Sequence, residues 1–351
     1  MTTERIKRVG MFGTGWGTRV SVPAFREAGW EVAGLWSRRP DRATHFAERL
    51  EIPYSTGDAQ ALIDRPEIDA VAIHTPPHMH LDLCRAAFAA GKHVLCDKPF
   101  ATNIPDAEAM LQAADASALT AMVNYEFRFA PLRQQVERLI ADGEIGDVRH
   151  VSLDLQTTNP MLEFERPWRL DPAHGGGLLN ELGSHAIDRL RQWFGDLAAV
   201  SARMASFPEE ELDPQFTSED HISATFDFVN GGVATLSMSW VTDPPLGMRI
   251  VIAGSEGTIL ATSPGSMLSE GEVSLARAGE DRLTRVEPPT DQAEVGAGGA
   301  ITASARLIEA FAQGIDSGHS PSPNFVDGLQ SQIAIEAMRE SNRTGRAVRL
   351  A

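Results

Sequence analysis

The sequence predicts an α/β protein in which a doubly wound parallel sheet is followed by an α+β domain with a large, mostly antiparallel sheet. Short apolar runs alternate with helical patterns up to about residue 125, and strand-like runs follow one another with few helices after about residue 145. A glycine-rich loop directly follows the first apolar run. The 351 residues are too many for one ordinary core, so two domains are expected, residues 1–125 and residues 126–351.

The first domain is predicted from the rhythm of its apolar runs. Strands are expected at Arg8–Gly13, Glu31–Trp36, Ala70–His74, His93–Cys96 and Ala121–Asn124. Helices are expected between them, at Val20–Ala28, Arg42–Leu50, Leu81–Ala90 and Ala107–Ala116. Such alternation implies crossovers between parallel strands and a sheet covered on both faces.

The second domain is predicted from strand-like runs separated by turn residues. These runs are His150–Thr157, Ala198–Ser206, His221–Val229, Gly232–Thr242 and Arg249–Ala253. Two helical segments, about Ser304–Gln313 and Asn324–Ser341, are expected to close the chain. Because the outer face of such a sheet needs a cover, we expect a homodimer or homotetramer through this domain.

Charge and composition limit the classes of partner. The formal net charge of −17 opposes nucleic-acid binding, and the chain has no basic run. It has no apolar stretch near the ~18 residues of a membrane helix, and its start lacks the apolar core of a signal peptide. The two cysteines, Cys84 and Cys96, show no metal-type pairing. We therefore expect a cytoplasmic protein with no nucleic-acid or membrane partner.

The glycine-rich loop opens the first predicted helix and reads Gly13-Thr14-Gly15-Trp16-Gly17-Thr18. Gly13 permits a tight turn, and Gly15 lets the backbone approach a pyrophosphate at the helix N-terminus. The dinucleotide fingerprint has its third glycine where Thr18 stands, whereas here Gly17 comes one residue earlier. We predict that these residues hold a dinucleotide.

The end of the second predicted strand bears on which dinucleotide is bound. Ser37-Arg38-Arg39 stands where a site specific for NAD would offer an acid to the ribose hydroxyls. A serine hydroxyl and a guanidinium suit the 2′-phosphate of NADP, although Arg38 and Arg39 also fit a solvated turn before Pro40. The sequence favours NADP over NAD, with Ser37 and Arg38 as the phosphate site.

Three further stretches carry a resemblance to a known family. They read AVAIHTPPHMHLDLC from Ala70, AGKHVLCDKPFA from Ala90 and GGGLLNELGSHAID from Gly175. With the glycine loop, they resemble the glucose–fructose oxidoreductase / inositol dehydrogenase family (Gfo/Idh/MocA). Its members have a TPP…H turn, a Glu-Lys-Pro motif and a helix written G-G-G-x-L-x-D-x-G-x-H-x-x-D. This chain departs from those motifs at Asp97 and Glu181, and the resemblance runs from about residue 8 to the end.

The resemblance implies a Rossmann domain that binds NAD(P) and a second domain that binds substrate. Beyond the glycine loop, it assigns these residues to the cofactor site: Thr75, Pro76, Pro77, His80, Asp97, Lys98, Asn124, Trp168 and Arg169. Trp168 and Arg169 also fit an aromatic lid with a surface arginine.

The resemblance also implies the catalytic residues. Removing a hydride from a carbinol carbon leaves a hydroxyl proton that a side chain must accept. In the family, the histidine matching His185 is the acid/base, and the lysine matching Lys98 lies near the nicotinamide and the reacting hydroxyl. Helical spacing puts Glu181 and Asp188 on the face of His185, so that Glu181 can orient it and Asp188 can support it or cap a neighbouring segment. A packed histidine, a solvated helix acid and an Asp97–Lys98 ion pair remain the structural alternatives.

The predicted function is hydride transfer between NAD(P) and a secondary alcohol or ketone of a sugar, cyclic polyol or sugar derivative. Two other functions stay open: a non-catalytic dinucleotide-sensing regulator, and a redox-assisted glycoside-cleaving enzyme with tightly bound NAD. No metal is expected at His74, His78 and His80, because prolines interrupt the scaffold and no nearby cysteine or acid completes a ligand shell.

Overall fold

The computed structural model describes residues 6–158, 171, 174–207, 218–265, 270–287 and 299–350. Its internal contacts divide the chain into two units. The first contains Met1–Glu126 with Ala300–Gln332, and the second contains Phe127–Gly299 with Ile333–Ala351.

The first unit contains a six-stranded sheet in the order β3-β2-β1-β4-β5-β6. Its strands are β1 (Arg8–Phe12), β2 (Glu31–Trp36), β3 (Ser55–Thr56), β4 (Ala70–Ile73), β5 (His93–Cys96) and β6 (Ala121–Val123). All neighbouring strands are parallel, and this order is that of dinucleotide-binding sheets. The predicted doubly wound parallel sheet is confirmed.

Helices cross between these strands at α1 (Val22–Glu27), α2 (Pro40–Arg49), α3 (Ala59–Ile63), α4 (His80–Ala89) and α5 (Ile104–Ser117). The sequence prediction lacks β3 and α3, since β3 has only 2 residues and shows no periodic pattern. Asp58 caps α3 by accepting hydrogen bonds from two backbone amides. Across the described ranges of the chain, no helix is long and apolar enough to cross a bilayer.

Residues 300–332 belong to the first unit, whereas the sequence-based division at residue 125 assigned them to the second domain. On α8 (Gly299–Ser317), Phe311 stacks on Trp30 with ring centroids 5.9 Å apart. At the start of α9 (Phe325–Thr344), Phe325 packs on Phe100 at 4.7 Å. These aromatic side chains complete the first core from far along the chain, which no local pattern reveals.

The second unit contains a nine-stranded sheet in the order β14-β13-β12-β11-β7-β10-β9-β8-β15. Its strands are β7 (Val148–Gln156), β8 (Leu197–Ala205), β9 (His221–Phe228), β10 (Val233–Ser239), β11 (Gly247–Gly254), β12 (Gly257–Ser263), β13 (Glu272–Arg277), β14 (Thr284–Arg285) and β15 (Val348–Arg349). β7 and β10 run parallel, and the other pairs are antiparallel. The predicted mostly antiparallel sheet is confirmed.

One face of this sheet is buried beneath α6 (Pro131–Ala141), α7 (Ser184–Phe194) and the later part of α9, whose Ile335 and Met338 belong to the same core. Burial alternates along β9, where Ile222, Ala224 and Phe226 are buried and the residues between them are exposed. The sequence analysis did not predict α6, although Pro131 occupies its first position, where proline often starts helices. α7 therefore packs on the buried face of the sheet.

Candidate active site

The glycine-rich loop joins β1 to α1 and lies against the end of β4. Gly13 has a φ of +112°, and a Cβ at this position would lie 2.2 Å from the backbone oxygen of His74. Only glycine fits so close an approach. A π-helical turn, Gly17–Ser21, then leads into α1. The loop presents bare backbone at a helix N-terminus, which is an arrangement that binds phosphate.

Thr18, at the third-glycine position of the fingerprint, fixes the loop. Its hydroxyl lies 3.2 Å from the backbone oxygens of both Thr14 and Gly15. Nearby, Nε1 of Trp16 and Oγ1 of Thr75 are buried with no hydrogen-bond partner among the described residues. Buried polar atoms rarely remain unbonded, so these two atoms fit a polar ligand such as a dinucleotide.

The end of β2 holds one buried hydroxyl and one unpaired cation. Ser37 is buried, and its Oγ accepts a hydrogen bond from the backbone nitrogen of Arg39 at 3.2 Å. Arg39 pairs with Asp41 at 3.0 Å. Arg38 is exposed and makes no hydrogen bond or ion pair with any residue that the structure describes. Of the two arginines, Arg38 is the one that can bind an incoming phosphate.

Both ring nitrogens of His80 face backbone carbonyls. Nδ1 lies 3.0 Å from the oxygen of Phe100, and Nε2 lies 2.9 Å from the oxygen of Thr75. Burial lowers the pKa of this imidazole, and the two carbonyls oppose that shift. His80 thus fixes the turn that contains Thr75, Pro76 and Pro77. Its predicted direct part in a cofactor site stays a prediction.

The carboxylate of Asp97 brings together two predicted site residues, Asn124 and Lys98, and His74, which the sequence analysis did not assign to the site. It accepts hydrogen bonds from Nδ1 of His74 at 3.1 Å, Nδ2 of Asn124 at 3.2 Å and the backbone nitrogen of Lys98 at 3.0 Å. Burial alone would raise this pKa, but His74, Lys98 and Asn124 lower it from 3.8 to about 2. Asp97 therefore positions Lys98 through its backbone, at the place where the family motif has glutamate.

We expect the Asp97→Asn variant to be less stable than the wild type by about 2 kcal/mol at neutral pH, the free energy that matches this pKa shift. A carboxyl group whose pKa is lowered in the folded state stabilises the fold at pH values above its ordinary pKa of 3.8. That stabilisation is lost as the pH falls toward about 2. The difference between the two proteins should therefore be constant near neutrality and shrink below about pH 4. Urea denaturation at a series of pH values measures it.

Asp82→Asn is the matched control, because Asp82 is an exposed carboxylate on α4. It should lower the free energy of unfolding by less than about 1 kcal/mol, the contribution of an exposed carboxylate in the first turn of a helix. If Asp97→Asn were as stable as the wild type at pH 7, the proposed role of Asp97 as the centre of this cluster would be wrong.

The helix that carries the predicted acid/base begins at a crowded glycine. A Cβ on Gly177 would lie 2.4 Å from Oε1 of Glu219. The same oxygen accepts a hydrogen bond from the backbone nitrogen of Leu179 at 2.9 Å, which caps the helix. Burial raises the pKa of Glu219. A π-helical turn, Leu179–Gly183, then leads into α7, and such turns are frequent at functional sites.

His185 is held by an aromatic stack. Its ring lies 4.0 Å from that of Phe127, with an interplanar angle of 17°. The guanidinium of Arg133 lies over Phe127, 4.6 Å from the ring centre. All three side chains are buried, and the stack fixes the plane of the imidazole.

Asp188 forms a buried ion pair with Arg128. Two nitrogens of the guanidinium donate to the carboxylate: Nε lies 2.8 Å from Oδ2, and Nη2 is bonded to Oδ1. Since Arg128 immediately follows Phe127, the pair also anchors the segment that stacks on His185. This geometry gives Asp188 the supporting role that the sequence analysis expected.

A small cavity lies on the face of α7 that carries His185. His185 lines it together with Leu182, Ala186 and Arg189. Glu181 is buried in the π-helical turn Leu179–Gly183 before α7. The sequence prediction assumed α-helical spacing throughout and did not include this turn. The placement of Glu181 against His185 stays a prediction.

Sequence reasoning missed several residues near His185: Phe127, Arg128, Arg133 and Arg189. One signal was available, because Arg189 follows His185 by four residues on a helix face that is otherwise apolar. The other three precede His185 by more than fifty residues, and only the fold brings them to it. Trp168 and Arg169 lie outside the described residues.

Two family models match most of the chain. One, described as "Oxidoreductase family, NAD-binding Rossmann fold", matches residues 7–125, and the other, the GFO/IDH/MocA C-terminal domain, matches residues 133–260. The chain belongs to this family. The resemblance inferred from the motifs is therefore confirmed.

Curated relatives extend over nearly the whole chain. D-xylose 1-dehydrogenase (NADP(+)) 2 of Haloferax volcanii is 27% identical, over 97% of this chain and 99% of the relative. Levoglucosan dehydrogenase of Pseudarthrobacter phenanthrenivorans is 28% identical, over 86% of this chain and 85% of the relative. Both names denote dehydrogenases that act on sugars or a sugar derivative.

Solved structures share the fold at similar identity. A levoglucosan dehydrogenase in complex with NADH superposes with a TM-score of 0.89 at 25% identity, covering 99% of this chain and 100% of the other. Aldose-aldose oxidoreductase from Caulobacter crescentus, complexed with glycerol, has a TM-score of 0.83 at 28% identity and the same coverage. This chain is therefore similar in fold and sequence to sugar oxidoreductases of the family.

Proposed function

We propose that this protein transfers a hydride between NAD(P) and a secondary alcohol or ketone of a sugar, cyclic polyol or sugar derivative. The observation that carries this proposal is the placement of His185, a buried histidine held by an aromatic stack and a capped, glycine-entered helix. A histidine has a proton affinity suited to acid/base catalysis near neutral pH. The sugar-acting relatives support the class of substrate.

The residues of the first unit fit a dinucleotide. The loop Gly13–Thr18 would hold the pyrophosphate, Ser37 and Arg38 the adenosine ribose and its phosphate, and the Thr75–Pro77 turn with Asn124 the remainder. Trp168 and Arg169 stay in the proposed set on the strength of the family motif alone. When bound, the nicotinamide ring supplies the chemistry of accepting or donating a hydride.

Side chains of the protein accept and return the proton of the substrate hydroxyl. A ring nitrogen of His185 accepts this proton during oxidation and returns it during reduction. The family motif also assigns Lys98 to the reacting hydroxyl, where its ammonium group would stabilise negative charge on the oxygen, and Asp97 fixes the lysine's backbone. Glu181 is buried within the turn before α7 and orients His185 or the substrate.

A screen of sugars, polyols and their ketone derivatives tests the proposal. Each compound is incubated with NAD or NADP, or with the reduced forms, and absorbance of the reduced nicotinamide is followed. At least one carbohydrate-like compound should give steady, enzyme-dependent turnover. A regulator would bind dinucleotide without turnover, and a redox-assisted glycosidase would release sugar without net cofactor reduction, so either result would contradict the proposal.

We propose further that NADP is the preferred dinucleotide. Arg38→Ala should weaken NADP binding by roughly ten- to a hundredfold, because a charged hydrogen bond contributes about 1.5–3 kcal/mol. NAD binding should change little, since NAD lacks the 2′-phosphate. Titration of both dinucleotides into both proteins measures the effect.

Arg39→Ala is the control for this comparison. Arg39 is an adjacent exposed arginine that pairs with Asp41, so its removal should leave the ratio of NADP to NAD affinity nearly unchanged. Equal losses of both dinucleotides in Arg38→Ala, or a wild type that strongly prefers NAD, would refute the assignment.

We also propose a cytoplasmic location and a homodimer or homotetramer. Cys84 and Cys96 are free and buried, which suits a reducing compartment. The outer face of β9 carries exposed Ser223, Thr225 and Asp227, so an oligomer through this sheet would have a polar interface. Sedimentation analysis measures the oligomeric state.

A further inference from the structure

Arg189 is a buried cation whose described contacts include no carboxylate. It is 4% exposed, and its Nε has no hydrogen-bond partner among the described residues. Its Nη1 lies 3.4 Å from the sulfur of Met248, and its guanidinium carbon lies 5.7 Å from the ring centre of Trp193. Burial lowers the pKa of Arg189 to about 9, opposed by Asp188. Removing an unpaired charge from water is costly, and a thioether and an aromatic ring offset little of that cost.

The neighbouring acid, Asp188, forms no ion pair with Arg189. Asp188 directs both carboxylate oxygens to Arg128, and no ion pair joins it to Arg189. The chain as a whole carries a net charge of −17, so acids are abundant elsewhere on it. Among the described residues, this cation nevertheless has no carboxylate partner.

The cation and the proposed acid/base line the same cavity. Arg189 follows His185 by one helical turn, which places the two side chains on the same face of α7, and both line this cavity. The cavity has a volume of about 10 Å³, room for about one water-sized group. Its other walls are largely apolar and include Leu153, Leu155 and Met238.

We propose that Arg189 binds a carboxylate of the substrate, so that the preferred substrates are sugar acids, such as uronates or aldonates, and not neutral sugars. This inference rests on the proposed function, because it requires the substrate to lie against His185. The cavity admits one carboxylate oxygen while the sugar stays outside it. The carboxylate must then lie within a few carbons of the reacting hydroxyl, since Arg189 and His185 are one turn apart.

Matched pairs of substrates test this inference. Turnover of D-glucose against D-glucuronate, and of D-galactose against D-galacturonate, is measured for the wild type, Arg189→Met and Arg189→Lys. The wild type should prefer the acid of a pair by roughly ten- to a hundredfold in kcat/KM, as expected for a charge-assisted hydrogen bond. Arg189→Met should lose that preference, so that its kcat/KM for the acid falls to about that for the neutral sugar. Arg189→Lys should retain part of the preference, because it keeps the charge but loses the fork of donors.

Arg191→Met is the control variant, since Arg191 lies two residues further along α7 and pairs with Asp196 at 2.8 Å. It should keep the wild-type preference. Calorimetric titration of sodium glucuronate into protein saturated with reduced dinucleotide provides a readout without turnover, and Arg189→Met should bind glucuronate at least tenfold more weakly. If Arg189→Met does not fold, substrate preference and glucuronate binding are both measured with Arg189→Lys instead.

The outcomes separate this inference from the proposed function. Equal or better turnover of the neutral sugars by the wild type would overturn the role of Arg189 and leave the dehydrogenase proposal standing. Binding of glucuronate that depends on Arg189, without turnover of any compound, would support the carboxylate site and contradict the dehydrogenase. Undiminished binding of glucuronate by Arg189→Met, or no binding by the wild type, would overturn the inference.

Discussion

Replacing His185 with alanine should lower kcat by roughly 10²–10⁴, the contribution of a positioned proton-transfer group. The hydroxyl proton released during hydride removal would then pass to water, which is neither oriented nor of suitable basicity. Dinucleotide affinity should change little, because the proposed cofactor contacts come from other residues. Steady-state kinetics and dinucleotide titration, with the best compound of the carbohydrate screen, measure both quantities.

His319→Ala is the matched control, because His319 is exposed and belongs to a different part of the chain. It should keep wild-type kinetics. Alanine at position 185 also leaves space beside Phe127, so added imidazole should restore part of the lost rate. Near-normal turnover of His185→Ala at neutral pH would remove His185 from the catalytic set.

Replacing Arg128 with methionine should lower the free energy of unfolding by about 3–5 kcal/mol, the usual effect of breaking a buried ion pair. The carboxylate of Asp188 would lose its two-donor partner while its side chain remains 2% exposed. The segment that carries Phe127 would lose its anchor to α7 at the same time. Urea denaturation followed by tryptophan fluorescence measures the change.

Arg343→Met is the matched control, since its side chain and that of Glu340, which pairs with it, are 72% and 45% exposed. Loss of such an exposed pair should cost less than about 1 kcal/mol. The double variant Arg128→Met/Asp188→Leu removes both charges and should recover much of the lost stability. A single variant Arg128→Met as stable as the wild type would show that the pair contributes nothing to the fold.

The sequence was sufficient for the parts of the fold that repeat a local pattern. The strands of the first sheet are continuous apolar runs with turn signals at their ends, and the glycine loop identifies the strand that begins the sheet. The motifs also identify Lys98 and His185, because the residues that define each motif lie within a few positions of it in the sequence. Short elements such as Ser55–Thr56 have no such pattern.

The contacts that organise the candidate site depend on the tertiary fold. Phe127 and Arg133 reach His185 from more than fifty residues earlier in the chain, and His74 and Asp97 meet because neighbouring parallel strands end at the same edge. The placement of Phe311 and Phe325 in the first core likewise depends on packing between distant segments. The π-helical turn before α7 was also missed, because nothing in the spacing of Glu181 and His185 reveals one.

The π-helical turn at Leu179–Gly183 lies directly before the helix that carries His185. Deleting one residue from this turn would leave an ordinary α-helix with every key side chain still present. The segments before and after the turn would keep nearly the same relative orientation, because a π-helical turn holds one residue more than an α-helical turn over about the same rotation. A deletion within the regular part of α7 would instead rotate its two flanks by about 100° relative to each other. A single-residue deletion should therefore be tolerated better in this turn than further along α7. In an alignment, a gap between Gly177 and Ser184 would mark a relative in which this turn is a regular α-helix.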